Sequence, residues 1–138
     1  MYKELIAQYG DGNKYVSPQP SAAVSEIAKA EQKLGTSFPD ELRALLSEMN
    51  GDRWLMFSIN EIIETTEDLR SLTEYYPGID GYLFFAGNGC GDYYGYSVTE
   101  DGSVDASAIY LWLHETNEKM KVVADIPTLI KRYYSDEI

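Results

Sequence analysis

Apolar residues in this 138-residue chain recur every three to four positions up to about Leu72, and every second position from Tyr82 onward. The first spacing lines side chains along one face of a helix, whereas the second alternates them across a strand. A helical stretch returns only at the end. Helices that come first and a sheet that comes second have one economical way to bury both sets of apolar residues. The helices pack on one face of an antiparallel sheet, an α+β arrangement in a single domain.

Residues 1–9 read as a short helix. GDGNKYVSPQP, residues 10–20, has glycines and prolines that bar regular structure. Ser21 is placed to cap a helix running to Leu34, with Val24, Ile27, Glu31 and Leu34 as its inward stripe and Gly35 as its stop. Glu31 is the exception on that stripe. A buried carboxylate needs partners, so it is expected to accept N–H groups from the following turn or to lie at the rim of the core. Pro39 suits the first position of a second helix, whose inward residues are Leu42, Leu45, Leu46 and Met49, ended by Asn50-Gly51. A short strand over 53–57 follows. Ser58 and Glu61, in the order S-x-x-E, then open a third helix to about Leu72, with Ile62, Ile63, Thr66 and Leu69 on one side.

The sheet comes from four runs, at 82–86, 93–98, 109–114 and 119–124, separated by GNGCGD, by a turn at Asp101-Gly102 and by HETNE. In IYLWLH, Ile109, Leu111 and Leu113 share one face, and Tyr110, Trp112 and His114 the other. With the 53–57 run the sheet has four to five strands. Asp125 caps a closing helix whose inward residues are Ile126, Leu129, Ile130 and Tyr133. The whole chain, 1–138, reads as one domain with its core over about 20–135.

Charge narrows the partners. The net charge is −12, from 23 acids against 11 bases, and such a surface repels nucleic acid and anionic membranes. Between Arg70 and Lys119 there is no lysine or arginine, while Glu74, Asp80, Asp92, Glu100, Asp101, Asp105, Glu115 and Glu118 lie there with seven of the twelve tyrosines. Acids that steer and aromatics that anchor are the composition of a protein-binding face. No run reaches the ~20 apolar residues a membrane span needs, and residues 1–20 lack a signal-peptide pattern. A soluble cytoplasmic protein is the expectation.

FFAGNGCGDYYGYSV, residues 84–98, is the stretch most open to chemical readings. Its glycines do not form a dinucleotide loop, because the third glycine of G-x-G-x-x-G falls on Asp92 or Tyr94 and the residues that follow alternate as a strand. Cys90 is a nucleophile only beside a base, and His114 is the one histidine. The acidic surroundings oppose a thiolate. One cysteine, one histidine and scattered carboxylates have no metal-ligand spacing, and no cofactor is indicated. The glycines are expected to make a tight bend between strands, with Asp92 bonding the N–H groups of that bend.

The string IAKAEQKLGTSFPDELRALLSEMNG, residues 27–51, resembles the SUKH superfamily: a helix carrying a glutamate, a Leu-Gly step, a Phe-Pro step, a second helix and Asn-Gly. On that match Glu31, Leu34, Gly35, Phe38, Pro39, Leu46, Asn50 and Gly51 occupy family positions. FFAGNGCGDYYGY resembles the strand, glycine bend and second strand of the family, which places Gly91 and Asp92. VADIPTLIKRYY resembles its terminal helix. The resemblance implies an α+β domain that in bacteria serves as the non-enzymatic immunity partner of secreted polymorphic toxins, nucleases and deaminases among them. Its fungal relatives are linked to the regulation of cell-wall synthesis. Together with the local reading, this points to a protein that neutralises a cationic toxin domain through Tyr75, Tyr76, Asp80, Asp92, Tyr94, Tyr96, Glu100, Asp101, Trp112 and Glu115. Two other readings stay open: a regulatory or small-molecule-binding module with a pocket at Tyr94, Trp112 and His114, and a cysteine hydrolase using Cys90 and His114.

Overall fold

In the computed structural model, which describes residues 1–138, the chain runs α1 (Tyr2–Tyr9), α2 (Val24–Leu34), α3 (Asp40–Glu48), α4 (Ile59–Arg70), a 3-10 turn (Ile79–Gly81), β1 (Tyr82–Gly87), β2 (Tyr93–Val98), β3 (Val104–Trp112), β4 (Lys119–Val123) and α5 (Ile126–Tyr134). The strands form one antiparallel sheet in the order β1-β2-β3-β4. The capping box at the start of α4 is as expected: Glu61 N–H donates to Ser58 Oγ at 3.2 Å, and the Glu61 carboxylate accepts the Ser58 N–H at 3.0 Å. Asp125 likewise caps α5 by accepting the Thr128 N–H.

Several boundaries differ from the sequence reading. Ser21 does not cap α2. The helix begins three residues later, and the Ala23 N–H donates to the Glu26 carboxylate at 3.0 Å. Ile27, Ala30 and Leu34 make its buried face, whereas Val24 is 80 % exposed and shares the outer rim with Ala28, Glu31 and Arg43. The rim is where Glu31 belongs: its Oε2 accepts the Phe38 N–H at 2.7 Å and pairs with the Arg43 guanidinium at 2.6 Å. Pro39 stands one position outside α3, with extended ψ.

The expected strand at 53–57 shrinks to a single bridge, Met56 to Ala86. The cause is Asp52. Its buried Oδ1 accepts the N–H groups of Trp54, Leu55 and Met56 at 2.8–2.9 Å, so these amides are not free for a ladder. Arg53 turns through positive φ to make this possible. β3 is longer at its start and shorter at its end than expected. Gly95 pairs with Tyr110 and Ser97 with Asp105, so three extra residues of β3 loop out. Asp105 holds that bulge by accepting both the N–H and the hydroxyl of Ser107.

Both faces of the sheet are covered. Leu83, Phe85, Tyr94, Tyr96 and Ile109 face the main core with Ile6, Leu42, Leu45, Leu46, Ile62, Leu129 and Ile130. On the other face Phe84 and Trp112 pack with Leu69 and Ile79 under the segment that follows α4, and Tyr76 stands edge-on to Trp112 at 5.0 Å. Asn117 and Lys119 tie that segment down by donating to the Pro77 carbonyl. The outer edge of β1 is sealed as well: the Thr66 hydroxyl accepts the Phe84 N–H and donates to the Phe84 carbonyl, leaving no open ladder there.

Candidate partner-binding surfaces

The ten residues proposed from sequence do not form one patch. Tyr94, Tyr96 and Trp112 are core residues. Alternation along β2 turns Tyr94 and Tyr96 to the helices, and the segment after α4 covers Trp112, whose indole N–H donates to Asn117 Oδ1 at 2.8 Å. Burial, with the nearby charges of Tyr133 and Asp92, pushes the Tyr94 phenol up to about 12. The Tyr96 hydroxyl is buried beside Glu41 without a hydrogen bond of good geometry, and burial followed by the Glu41 charge raises it strongly. Tyr94 and Trp112 lie on opposite faces of the sheet, so they cannot line the shared pocket that the binding-module reading requires.

Of the other seven, Tyr75 and Tyr76 lie on the segment after α4, and the five acids divide between the two ends of the sheet. At one end Asp80 and Glu100 line a groove of about 370 Å³ with Arg70, Gly35 and Thr36, and Asp101 sits in the adjoining turn. Arg70 is fixed there by donating to the Leu34 carbonyl at 2.6 Å and to Thr36 Oγ1 at 3.3 Å. Hydrogen bonds from Thr99 and Ser103 hold the Asp101 carboxyl below its usual range. Six residues of β2, roughly 20 Å at 3.3 Å per residue, separate this end from the one carrying Asp92 and Glu115. Tyr75 is exposed on the segment that covers the second face.

Asp92 is tied into the fold. Asn88, and not Asp92, bonds the bend's own amides: its Oδ1 accepts the Cys90 N–H at 2.9 Å. The Asp92 Oδ1 instead accepts the His114 N–H at 3.0 Å and meets His114 Nδ1 at 2.7 Å, while Oδ2 accepts from Asn88. Burial opposes ionisation of Asp92, but the hydrogen bonds from His114 and Asn88 outweigh it and hold the carboxyl below the usual range. Gly91 lies against the His114 ring, where a Cβ would meet Nδ1 at 3.1 Å. Cys90 is exposed and near Tyr133, and no hydrogen bond joins it to His114. Asp92 holds Nδ1 of the imidazole as the orienting acid of a cysteine-histidine site would, but the thiol-imidazole hydrogen bond that the hydrolase reading requires is not made in this geometry.

Sequence reasoning missed a second concave surface. A cleft of about 580 Å³ opens between the loop after α1, the bend at Trp54 and the end of α5, lined by Tyr9, Trp54, Asn88, Tyr133, Tyr134 and Asp136 among others. Trp54 stacks on Tyr15 with ring centroids 5.6 Å apart. The two rings are 39 residues apart in sequence, and no local periodicity links them.

Helix α2 with its Glu31, the Leu34-Gly35 step, the Phe38-Pro39 step into α3, and Asn50-Gly51 before α4 give the order of elements the sequence resemblance implies. The model of the SMI1/KNR4 family (SUKH-1) matches residues 21–132. The chain belongs to this family. No curated protein matches it. Within the SUKH-1 domain the matched positions have structural work. Leu34, Phe38 and Leu46 are buried, Gly35 closes α2 in the left-handed conformation, and Asn50 Oδ1 accepts the Ile59 N–H at the start of α4. Helix α1 lies outside the matched span, yet its Tyr2 and Ile6 belong to the main core.

Proposed function

We propose that this SUKH-1 domain is a cytoplasmic, non-enzymatic immunity protein that binds and neutralises a cationic toxin domain, with nuclease toxins the leading class. The observation that carries the reading is the state of the acids. Asp80, Glu100, Asp101 and Glu115 are all exposed, and none takes part in an ion pair. Carboxylates without an ion-pair partner, Asp80, Glu100 and Asp101 at one end of the sheet and Glu115 at the other, on a protein of net charge −12 attract a cationic partner and raise its association rate. Tyr75, exposed, and Tyr76, half-buried against Trp112, add aromatic surface on the segment after α4. The single domain, residues 1–138, is the binding unit.

The test is co-elution with the C-terminal domain of a candidate secreted toxin, chosen from the genes that neighbour this one, at low and high salt. The expected result is a stoichiometric complex whose association slows at least about tenfold in D80N/E100Q/D101N and loses most of its salt dependence. Failure to form a complex at micromolar concentration in either salt overturns the reading for that partner.

A further inference from the structure

The cleft between Trp54 and the end of α5 is set apart by how its aromatic wall is held. Trp54 is 45 % exposed and Tyr15 is 61 % exposed. Stacked together they make a contiguous exposed aromatic patch, the kind of surface that marks interaction sites. Nor is Trp54 loosely placed. The buried Asp52 carboxylate accepts the Trp54 N–H at 2.9 Å through Oδ1, and through Oδ2 it accepts the hydroxyl of Tyr134 at 2.6 Å. Tyr134 itself lines the cleft. One buried acid thus fixes two walls of the same cavity, and Arg53 adopts a left-handed backbone conformation, φ 64°, to present Trp54. Non-glycine residues keep such a conformation only where their surroundings enforce it.

The chemistry of the lining selects the ligand. Tyr9, Trp54, Tyr133 and Tyr134 supply aromatic faces, Asp136 supplies a carboxylate, Asn88 an amide, and no lysine or arginine lines the cavity. Aromatic faces attract cations through the ring quadrupole, most strongly for tryptophan, and a guanidinium also stacks flat on a ring while bonding a carboxylate. A cation already stands over one member of the stacked pair, with Lys14 Nζ 5.2 Å from the centre of the Tyr15 ring. We propose that the cleft is an anchoring pocket for an arginine side chain of the protein partner, stacked on Trp54 and paired with Asp136. The proposal rests on the reading of the domain as a binder of a cationic protein, and adds to it a specific anchor on a face remote from Glu100 and Asp101. Anchors of this kind, an arginine in an aromatic pocket, dominate many interfaces.

Two measurements test the pocket without and with the partner. The chain has two tryptophans, and their indole N–H signals separate the cleft from the core, since the Trp112 indole is bonded internally to Asn117. Titration with the tripeptide acetyl-Gly-Arg-Gly-amide should move the Trp54 signal saturably and leave Trp112 still. The citrulline analogue, which lacks the charge, should bind at least about fivefold more weakly, and D136N should lose a similar factor. Equal shifts with arginine and citrulline, or none at Trp54, overturn the pocket. With the toxin domain in hand, W54A and D136N should speed dissociation at least about tenfold, and unchanged circular dichroism and melting temperature would show that the variants remain folded. A complex that forms normally with both variants overturns the pocket and leaves the immunity reading standing. Absence of any complex counts against the immunity reading, and the peptide titration then decides the pocket by itself.

Discussion

Single side chains in this domain often replace a whole element. Thr66 is the clearest case. It stands where a neighbouring strand would, satisfying both backbone groups of Phe84 from a helix. Thr66→Val keeps the shape and removes both bonds, leaving a buried donor and acceptor unpaired. The expected cost is about 2–3 kcal/mol in urea unfolding. Asp92 gives a prediction in pH. Its folded-state carboxyl lies lower than in the unfolded chain, so its stabilisation is present above about pH 3.9 and fades as pH falls through the lower folded value. Asp92→Asn should therefore cost about 1–2 kcal/mol at pH 7, and the gap to the parent should close in acid. Tyr94 acts at the other end of the scale. Its folded value near 12 exceeds the ordinary 10, so its contribution is complete below pH 10 and lost as pH rises through 12. Tyr94→Phe should unfold at higher pH than the parent in an alkaline titration followed by circular dichroism.

At the scale of elements, the strands show how close approach governs the sheet. Gly95 lies between Phe84 and Tyr110 in register. A Cβ there would meet the Leu83 carbonyl oxygen at 2.6 Å and the Phe84 ring at 2.9 Å. The Leu83 oxygen is backbone and cannot swing aside, so Gly95→Ala should cost at least about 2 kcal/mol and weaken the β1-β2 pair. Helix α1 provides a test of extent. Ile6 is buried to 1 % exposure against the core, outside the family match at 21–132. Ile6→Ala should cost about 2–4 kcal/mol, which would show that a unit cut to the matched residues loses part of its core. The sequence pattern marked α4 and α5 closely because Ser58 and Asp125 cap them, and α3 because Pro39 precedes it and Asn50-Gly51 follows it, while β1, β2 and β4 lie within a residue of the runs read from the sequence. It missed the first half of β3, because VDASA alternates only the small apolar residues Val104, Ala106 and Ala108 with Asp105 and Ser107, a weak strand signal, and is held as a strand by its pairing with β2.

For the whole molecule, the excess of acids over bases that underlies the proposed partner also acts on stability. Five of the acids between Arg70 and Lys119 remain free at the two ends of the sheet and around it, while Asp92 is paired with His114 and Asp101 and Asp105 bond their own turns. Mutual repulsion at net −12 should be relieved by salt, so the melting temperature should rise by a few degrees between about 10 mM and about 150 mM NaCl. The sequence by itself determined the order of the helices and of the four strands of the sheet, the single α+β domain, the family and the sign of the surface charge. These follow from local spacing, caps and composition, which are properties of neighbouring residues. Only the tertiary structure decided which aromatics are free. Alternation says that Tyr94 and Tyr96 share one face of β2, but only the register, with Tyr94 opposite Leu111, turns Trp112 to the other face, and only packing covers both. The Asp52 carboxylate drew the amides of 54–56 away from a strand, and chain packing across 39 residues stacked Trp54 on Tyr15. Such contacts depend on which distant segments meet, and no window of sequence contains that information.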